Sequence, residues 1–328
     1  MRALVTGGGG FLGSAIVRGL IARGDEVHTF ARGAYPELSL LGAHTVRGDL
    51  RDADAVCAAT AGCDVVYHVG ALAGIGARGR EYAETNIGGT ANVLAACRAH
   101  GVPRLVYTST PSVVATHDGI AGGDESLPYP ARYESPYAAT KAAAERAVLA
   151  ADGLELATVA LRPHLIWGPG DTQLGPRIVE RGRRGRLRFV GDGTNLVDST
   201  YIDNAVSAHL AAADRLHPGA AISGRAYFVS QGEPRPIRDL VLGVLAAAGV
   251  DHVPGTIPFP VAYALGALAE GVFVLTRRPT DPPMTRFLAR QLATPHWFDI
   301  AAARRDLGYI PAVDIATGMV RLREHLRG

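Results

Sequence analysis

A glycine-rich turn directly after the first apolar run is the feature that most constrains the fold of this chain. Residues 3–6 predict a buried strand, and the glycines that follow have the spacing G-x-x-G-x-x-G at the start of a helix. Such glycines permit a tight turn, close approach of a phosphate to backbone N–H groups, and packing of helix on strand. The helix N-terminus also favours an anion. The segment therefore predicts a dinucleotide site, whose candidate contacts are Gly7, Gly10, Phe11, Leu12 and Gly13.

Strand-like and helix-like segments alternate along the first two thirds of the chain. The predicted strands are 3–6, 26–30, 45–47, 64–67, 105–108 and 158–161, and the main predicted helices are 11–23, 53–60, 82–100 and 136–151. This alternation is typical of a parallel sheet covered by helices on both faces. We therefore predict an α/β fold: a Rossmann-type doubly wound sheet in residues 1–170, with a return near 195–216, and a smaller interleaved substrate-binding lobe in 171–328.

Composition excludes several other classes of protein. Hydrophobic residues make up 48% of the 328 residues and the formal net charge is +2, which is not typical of disordered chains. The near balance of charges gives no signature of nucleic-acid binding. The three cysteines, Cys57, Cys63 and Cys97, match no metal-binding or redox spacing, and the first strand follows no secretory signal. We therefore expect a cytoplasmic protein without a bound metal.

The end of the second predicted strand bears on which dinucleotide binds. An acidic residue there binds the ribose 2′-OH of NAD, whereas an Arg accommodates the 2′-phosphate of NADP. This chain has Ala31 followed by Arg32, which favours NADP(H), the alternative being that Arg32 is an ordinary solvated residue. After the third strand, Asp49 and Leu50 suit contacts to the adenine, or else Asp49 caps the helix that follows.

Lys141 is the one lysine among the 33 Lys and Arg residues of the chain. It follows Tyr137 by four residues, a spacing that places both side chains on one face of a helix beginning at Pro136. A tyrosine with a pKa of about 10 is a poor acid–base group at neutral pH, and a nearby ammonium lowers that pKa. We therefore predict that Tyr137 and Lys141 act as a pair, the alternative being that the lone lysine is a compositional accident.

Hydroxyl side chains cluster at the end of the fifth predicted strand, in the segment 107–113 (YTSTPSV). Ligands of open α/β sheets bind just beyond the carboxyl ends of the strands. A hydroxyl at this place can therefore hydrogen-bond a substrate carbonyl while Tyr137 protonates it. The alternative is that these residues only form a turn before Pro111.

Together these motifs resemble the extended short-chain dehydrogenase/reductases, over essentially the whole chain. Three C-terminal motifs, the first of them at 276–292, further resemble the 3β-hydroxysteroid dehydrogenase branch of that family. The resemblance implies a Rossmann fold and a nicotinamide cofactor. The residues that carry it are the glycine turn, the hydroxyl cluster, Tyr137-x-x-x-Lys141, residues 86–93 (NIGGTANV), 161–163 (LRP), 297–300 (WFDI) and 307–311 (LGYIP).

The resemblance implies a role for each residue that matches the family's motifs. Tyr137 is the expected proton donor, Lys141 is expected to bind the nicotinamide ribose, and Thr110 is expected to polarise the substrate carbonyl. Thr110 stands where the family more often has Ser, so Ser109 competes for this role. Residues 69–71 (VGA) depart from the Asn-Ala-Ala of many relatives, which removes a side-chain amide contact. The remaining expected cofactor contacts are Gly70, Ala71, Asn86, Pro163 and Leu165.

Within the branch, segments 107–113, 166–171, 197–204 and 282–288 most resemble bacterial reductases that act on long-chain 2-alkyl-3-oxo acids in olefin biosynthesis. This implies NADPH-dependent reduction of a long-chain β-keto acid to the β-hydroxy acid. Alternatives with the same motifs are a hydroxysteroid or sterol dehydrogenase and an NAD-dependent nucleotide-sugar epimerase or dehydratase. The alternatives outside catalysis are an NADP-sensing protein and a scaffold protein.

Two further expectations concern partners. The resemblance implies a homodimer formed through the predicted helices 82–100 and 136–151. The apolar segment 257–275 predicts a buried or pocket-covering helix, and the alternative is that it associates with a membrane surface or with other enzymes of the same pathway.

Overall fold

The computed structural model describes residues 1–73, 79–116, 118–276 and 284–327 of the chain. In chain order its strands are β1 (Arg2–Thr6), β2 (Glu26–Ala31), β3 (His44–Arg47), β4 (Val65–His68), β5 (Arg104–Thr108), β6 (Ile120–Gly123), β7 (Ala157–Pro163), β8 (Ile166–Trp167), β9 (Arg188–Val190), β10 (Leu196–Val197), β11 (Thr200–Tyr201), β12 (Arg225–Val229), β13 (Arg235–Pro236), β14 (Gly255–Ile257) and β15 (His296–Phe298). Its helices are α1 (Phe11–Ala22), α2 (Pro36–Leu40), α3 (Ala53–Thr60), α4 (Gly79–Tyr82), α5 (Gly89–Ala99), α6 (Pro136–Ala150), α7 (Leu174–Arg183), α8 (Ile202–Arg215), α9 (Ile237–Ala247), α10 (Phe259–Thr276), α11 (Arg286–Ala293), α12 (Ala301–Leu307) and α13 (Ile315–Arg327), with a π-helical turn at Ala83–Gly88 and a 3₁₀ turn at Pro111–Val114.

Seven parallel strands form the central sheet, in the order β12-β7-β5-β4-β1-β2-β3. Helices α1 and α8 cover one face, and α3, α5 and α6 cover the other. Every residue of β4 and β7 is buried, as expected for strands that are covered on both sides. The predicted α/β class with a doubly wound parallel sheet is confirmed.

The six predicted strands agree with the structure to within one or two residues, but the edge strand β12 was not predicted. It pairs with β7, where Tyr227 is the partner of Leu161. Strand β12 follows helix α8, which packs against α1. The return to the sheet was predicted near residues 195–216, a range that contains α8. Short strands and helices lie between β7 and β12 and interrupt the strand–helix alternation. For this reason no local sequence pattern predicts that β12 joins the central sheet.

The second half of the chain, apart from α8 and β12, forms a lobe of short strands and helices. Its largest sheet has the order β13-β10-β15-β6, and β11 pairs with β8 and β14 with β9. Strand β6 lies between β5 and β7 in the sequence, so the lobe takes part of its structure from the first half of the chain. The lobe is therefore interleaved with the sheet domain, as predicted for this fold class.

Helix α10 contains most of the apolar segment 257–275, and only one of its faces is covered. Ala262 is buried in a small cluster with Val190 and Ala289. The expectation of a buried helix is therefore met on one side only. No helix in the described part of the chain is long and apolar enough to cross a membrane. Among the described side chains of α10, the large apolar ones that are between 44% and 84% exposed are Val261, Leu265, Leu268, Val272 and Leu275.

Candidate active site

The glycine turn between β1 and α1 depends on close backbone approach, and it leaves the helix N-terminus without a side-chain cap. Gly7 has a φ of +69°, in the left-handed region that favours glycine, and its N–H donates to the Phe30 carbonyl at 2.7 Å. A Cβ on Gly13 would lie 2.1 Å from the Gly7 carbonyl oxygen. Gly10 begins α1 without a side-chain cap, and the first turn has no acidic residue. The N–H groups of that turn are thus available to an anion, which fits the pyrophosphate of a dinucleotide.

The segment after β4 packs directly against this turn. A Cβ on Gly7 would lie 2.6 Å from Gly70 Cα, and one on Gly70 would lie 3.0 Å from Leu50 Cδ1 and 3.1 Å from Gly7 N. The Gly70 N–H donates to Thr6 Oγ1 at 3.1 Å. Two backbones therefore approach each other so closely here that a Cβ at position 70 would require Leu50 or the glycine turn to shift. Ala71 follows in the same segment.

A buried chain of hydrogen bonds, which no sequence pattern predicted, holds Gly70 in place. Thr90 Oγ1 donates to the Asn86 carbonyl at 2.6 Å, so it accepts from His68 Nε2 at 2.9 Å. His68 Nδ1 is then the acceptor of the Thr6 hydroxyl at 2.7 Å, and the Thr6 oxygen accepts from Gly70. Burial lowers the pKa of His68 to about 3. The imidazole is therefore neutral at physiological pH, as this arrangement of donors requires.

The Asn86 side chain connects the same segment to helix α6. Its Oδ1 accepts from Leu72 N at 2.7 Å, and its Nδ2 donates to the Leu72 carbonyl at 3.1 Å and to Thr140 Oγ1 at 3.2 Å. Thr140 precedes Lys141 on α6. The amide is therefore engaged in joining the glycine-turn region to the helix of the predicted catalytic pair. That Asn86 also contacts a cofactor stays a prediction.

The residues predicted to bind the adenine lie after β3. The Asp49 carboxylate accepts from Arg51 Nε at 3.0 Å and from Arg51 Nη2 at 2.7 Å, and these bonds hold the pKa of Asp49 below its usual range. Leu50 is buried against Gly89, where an added Cβ would lie 2.7 Å from Leu50 Cβ. Asp49 and Arg51 line an open surface cleft of about 560 Å³, together with Asp52, Glu84, Gly88 and Asn92.

Arg32 is exposed at the end of β2, and a second arginine lies beside it. Arg47 is the register partner of Ala31 on β3, and its Nε donates to the Arg32 carbonyl at 2.9 Å. Tyr35 lies against the glycine turn, since a Cβ on Gly9 would lie 2.0 Å from its ring. Sequence spacing predicts Arg32 but not Arg47, because their proximity arises from the pairing of β2 with β3.

Lys141 is buried, with 2% of its surface exposed, and its ammonium has two close partners. Nζ donates to the Thr108 carbonyl at 2.6 Å and lies 4.1 Å from the centre of the Tyr107 ring, within cation–π range. Burial lowers the pKa of Lys141 to about 7, while the carboxylate of Glu145, one turn further along α6, acts to raise it. Lys141 can therefore exchange a proton near neutral pH, which an arginine does not do.

Tyr137 and Thr110 are neighbours at the carboxyl end of β5, and the Thr110 hydroxyl acts to lower the pKa of the phenol. Thr110 Oγ1 also donates to Ser112 Oγ at 3.2 Å. The Ser109 hydroxyl is buried and has no hydrogen-bond partner among the residues that the structure describes. Of the two hydroxyls that the sequence left as candidates, Thr110 is therefore the one beside Tyr137. Ser112 is a further neighbour that the predicted site did not include.

The pKa of Tyr137 differs from the expectation drawn from the sequence. Burial raises the pKa of Tyr137 to about 12, and the neighbouring Thr110 hydroxyl acts in the opposite direction. A lowering of this pKa by Lys141 is not found in the structure, where the ammonium is engaged by the Thr108 carbonyl. The phenol is consequently protonated at neutral pH, which is the form a proton donor needs.

A buried ion pair lies beyond Lys141 and joins α6 to β7. Arg162 donates to the Glu145 carboxylate from Nη2 at 2.6 Å and from Nε at 3.0 Å, and the Tyr129 hydroxyl donates to it at 2.6 Å. Both charged side chains are almost completely buried. This ion pair fixes the position of the part of α6 that follows Lys141 relative to the sheet.

Pro163 and Leu165 lie where β7 ends, next to the end of β5. Pro163 is the register partner of Val229 on β12. Leu165 has a φ of +41°, the one positive φ at a non-glycine residue in the described ranges, and its carbonyl accepts from Thr200 N at 3.2 Å. Because β7 pairs with β5, both residues share the carboxyl edge of the sheet with Thr110. Their predicted contact with a nicotinamide is compatible with this position.

Comparisons with known proteins agree with this architecture. The 3-beta hydroxysteroid dehydrogenase/isomerase family matches residues 4–261. A protein of Stenotrophomonas maltophilia named 2-alkyl-3-oxoalkanoate reductase is 56% identical over 325 residues, which cover 98% of this chain and 98% of that protein. A protein of the same name from Shewanella oneidensis is 46% identical over 333 residues, covering 99% of this chain and 86% of that protein.

Among solved structures, the Thermus thermophilus UDP-glucose 4-epimerase in complex with NAD has a TM-score of 0.75 and 27% sequence identity. The comparison covers 100% of this chain and 99% of that one. The similarity therefore extends over both the sheet domain and the lobe.

Proposed function

This chain belongs to the 3-beta hydroxysteroid dehydrogenase/isomerase family, and from that premise we propose that it uses NADPH to reduce a 2-alkyl-3-oxoalkanoate to the matching 2-alkyl-3-hydroxyalkanoate in long-chain olefin biosynthesis. It is an oxidoreductase that acts on keto or hydroxyl groups. The observation that carries the proposal is that Tyr137 neighbours Thr110 while Lys141, one helical turn along α6, is buried with its ammonium on the Thr108 carbonyl. The identity to the two reductases supports the choice of substrate.

The protein groups at this site supply the proton and bind the ketone oxygen. Thr110 donates a hydrogen bond to that oxygen, which polarises the carbonyl. A nicotinamide dinucleotide held at the glycine turn would supply the hydride for the ketone carbon. Tyr137 transfers its phenolic proton to the same oxygen, so that the ketone becomes the alcohol. Lys141, whose ammonium donates to the Thr108 carbonyl, is proposed to bind the nicotinamide ribose next to this site.

The glycine turn and the uncapped N-terminus of α1 support a nicotinamide dinucleotide as the cofactor. We propose NADP(H) rather than NAD(H). Arg32 and Arg47 place two guanidinium groups at the ends of β2 and β3, and a 2′-phosphate needs such cations. No acidic side chain occupies the position after β2 where NAD-binding sites have one.

The proposed partners follow from the same similarity and from the exposed surfaces. A homodimer through α5 and α6 is proposed, and light scattering of the purified protein measures it directly. The exposed apolar face of α10 is proposed to contact a membrane surface or a second enzyme of the pathway. Retention of the protein on phospholipid vesicles, compared with a variant in which Leu265 and Leu268 are replaced by Ser, tests that association.

A substrate panel tests the proposed reaction. A long-chain 2-alkyl-3-hydroxyalkanoate, a 3β-hydroxysteroid and UDP-glucose are each offered with NADP⁺ or with NAD⁺, and formation of the reduced cofactor or of the epimer is followed. We expect turnover of the hydroxy acid with NADP⁺. Turnover of the steroid or of the nucleotide sugar, without turnover of the hydroxy acid, would contradict the proposal. Binding of NADPH without turnover of any substrate would instead favour a sensing or scaffold protein.

A further inference from the structure

A second group of chemically reactive side chains lies on the sheet, away from the candidate active site. Glu26 and His28 are two residues apart on β2 and therefore point to the same face, and His44 on β3 is the register partner of His28. The two imidazole rings have centroids 4.9 Å apart. One nitrogen or oxygen from each of the three side chains lies within 4.8 Å of the other two.

We propose that Glu26, His28 and His44 form a binding site for a divalent transition-metal ion of the Zn²⁺ class. Two imidazole nitrogens and one carboxylate oxygen are ligands that Zn²⁺ accepts, with metal–ligand distances of about 2.0 to 2.2 Å. Two such ligands of a tetrahedral ion lie about 3.3 Å from each other, by geometry from those distances. Glu26 Oε1 and His28 Nε2 are already 3.2 Å apart.

The third ligand and the surroundings are compatible with this site. His44 is exposed, so rotation of its side chain brings a ring nitrogen closer without displacing the core. Arg2 Nε donates to Glu26 Oε1 at 2.9 Å, and such a bond orients a metal-binding carboxylate while leaving it further lone pairs. The carboxylate of Asp64 accepts from the Arg2 backbone N–H at 2.8 Å, which fixes the start of β1 beside the site.

The proposed metal site lies away from the candidate active site. Glu26 and His28 lie in the amino-terminal half of β2, whereas the glycine turn and the hydroxyl cluster follow the carboxyl ends of β1 and β5. Strand β3 is the edge strand of the central sheet. A metal ion bound here joins β3 to β2, and three protein ligands leave the remaining coordination position to water. Binding is therefore expected to stabilise the fold without changing turnover.

Zn²⁺ titration by isothermal calorimetry tests the proposal, with full-length protein freed of any histidine tag. We expect one Zn²⁺ per chain, and a rise in Tm when Zn²⁺ is added, because the ion binds the folded state. The variants His28→Gln and His44→Gln should each weaken binding by at least about tenfold, by comparison with the cost of losing supporting residues at metal sites. His217→Gln is the matched control, since His217 is an exposed histidine far from β2 in the sequence and should bind Zn²⁺ like the parent.

Co²⁺ provides an independent readout of the ligands. Bound Co²⁺ should give a visible spectrum without the near-ultraviolet band of a thiolate ligand, because the proposed site contains no cysteine. Equal Zn²⁺ affinity in the parent, His28→Gln and His44→Gln proteins would overturn the proposal, as would a thiolate band or the absence of saturable binding. All three residues are at least partly exposed, so circular dichroism of the variants should match that of the parent.

Discussion

Replacement of Lys141 by Met is expected to stabilise the fold at neutral and acidic pH while it abolishes turnover. Burial lowers the pKa of Lys141 from an ordinary 10.5 to about 7. A difference of this size means that the fold disfavours the ammonium by roughly 4 to 5 kcal/mol relative to the unfolded chain. Met removes the charge but leaves the Thr108 carbonyl without its donor, at a cost of about 1 to 2 kcal/mol. The expected net gain at pH 6 is therefore roughly 2 to 4 kcal/mol.

The pH dependence of the free energy of unfolding distinguishes the penalty for burying the Lys141 ammonium from a general packing effect. Between pH 7 and pH 10.5 the unfolded chain holds the Lys141 proton and the native protein does not, so the stability of the parent rises with pH in this window. Below pH 7 both states hold the proton and the full penalty remains, whereas above pH 10.5 neither state holds it and the penalty disappears. The advantage of Lys141→Met should consequently shrink from pH 7 to pH 10.

Urea unfolding at several pH values between 6 and 10 measures this difference, with circular dichroism as the signal. Arg146→Met is the matched control, because Arg146 lies on the same helix but is exposed. Its effect on the free energy of unfolding should not change systematically with pH. A Lys141→Met protein that is less stable than the parent by the same amount at every pH would refute the reasoning.

Two further predictions concern the ammonium and the cofactor. Tyr107→Leu removes the ring next to Lys141 Nζ, and a loss of about 1 kcal/mol of cation–π attraction should shift the pH dependence of kcat/KM by about 0.7 unit to lower pH. Tyr107→Phe keeps the ring and should retain the parent profile, as should Tyr67→Leu, which removes an equally buried tyrosine from the neighbouring strand. Arg32→Ala should reduce the preference for NADPH over NADH in kcat/KM by about tenfold, the effect of losing one charge-assisted hydrogen bond; an unchanged preference would exclude Arg32 from cofactor choice.

The parts of the site that sequence predicts well are those in which the decisive residues are close in the chain. The glycine turn is a strand, a loop and a helix in succession, so its geometry follows from spacing alone. Tyr137 and Lys141 are separated by one helical turn. The hydroxyl cluster lies at the end of one strand, although only the structure distinguishes Thr110 from Ser109.

The parts that sequence does not predict depend on contacts between distant segments. Arg47 comes to lie beside Arg32 because β2 and β3 pair in one particular register. His68 is connected to Thr6 and Thr90 by side chains from three separate elements. The strand β12 enters the sheet after a series of loops that interrupts the alternating pattern.

The pKa of Tyr137 is another property that depends on a contact between distant segments, and the sequence did not predict it. The helical spacing predicts that Lys141 lowers it, but the Thr108 carbonyl engages the ammonium and burial raises the pKa of the phenol instead. The position of the Lys141 ammonium is thus set by the Thr108 carbonyl on β5, which is distant from α6 in the sequence. Helical periodicity contains no information about that strand.

The measurement that tests the central claim most directly compares Tyr137→Phe with the parent in two assays. The first follows NADPH-dependent reduction of a 2-alkyl-3-oxoalkanoate, and the second measures the Kd of NADPH by fluorescence. Because the variant loses only the phenolic hydroxyl, turnover should fall by about 10² to 10⁴ while the Kd stays within about twofold. Turnover close to that of the parent, with unchanged NADPH binding, would contradict the assignment of Tyr137 as the proton donor.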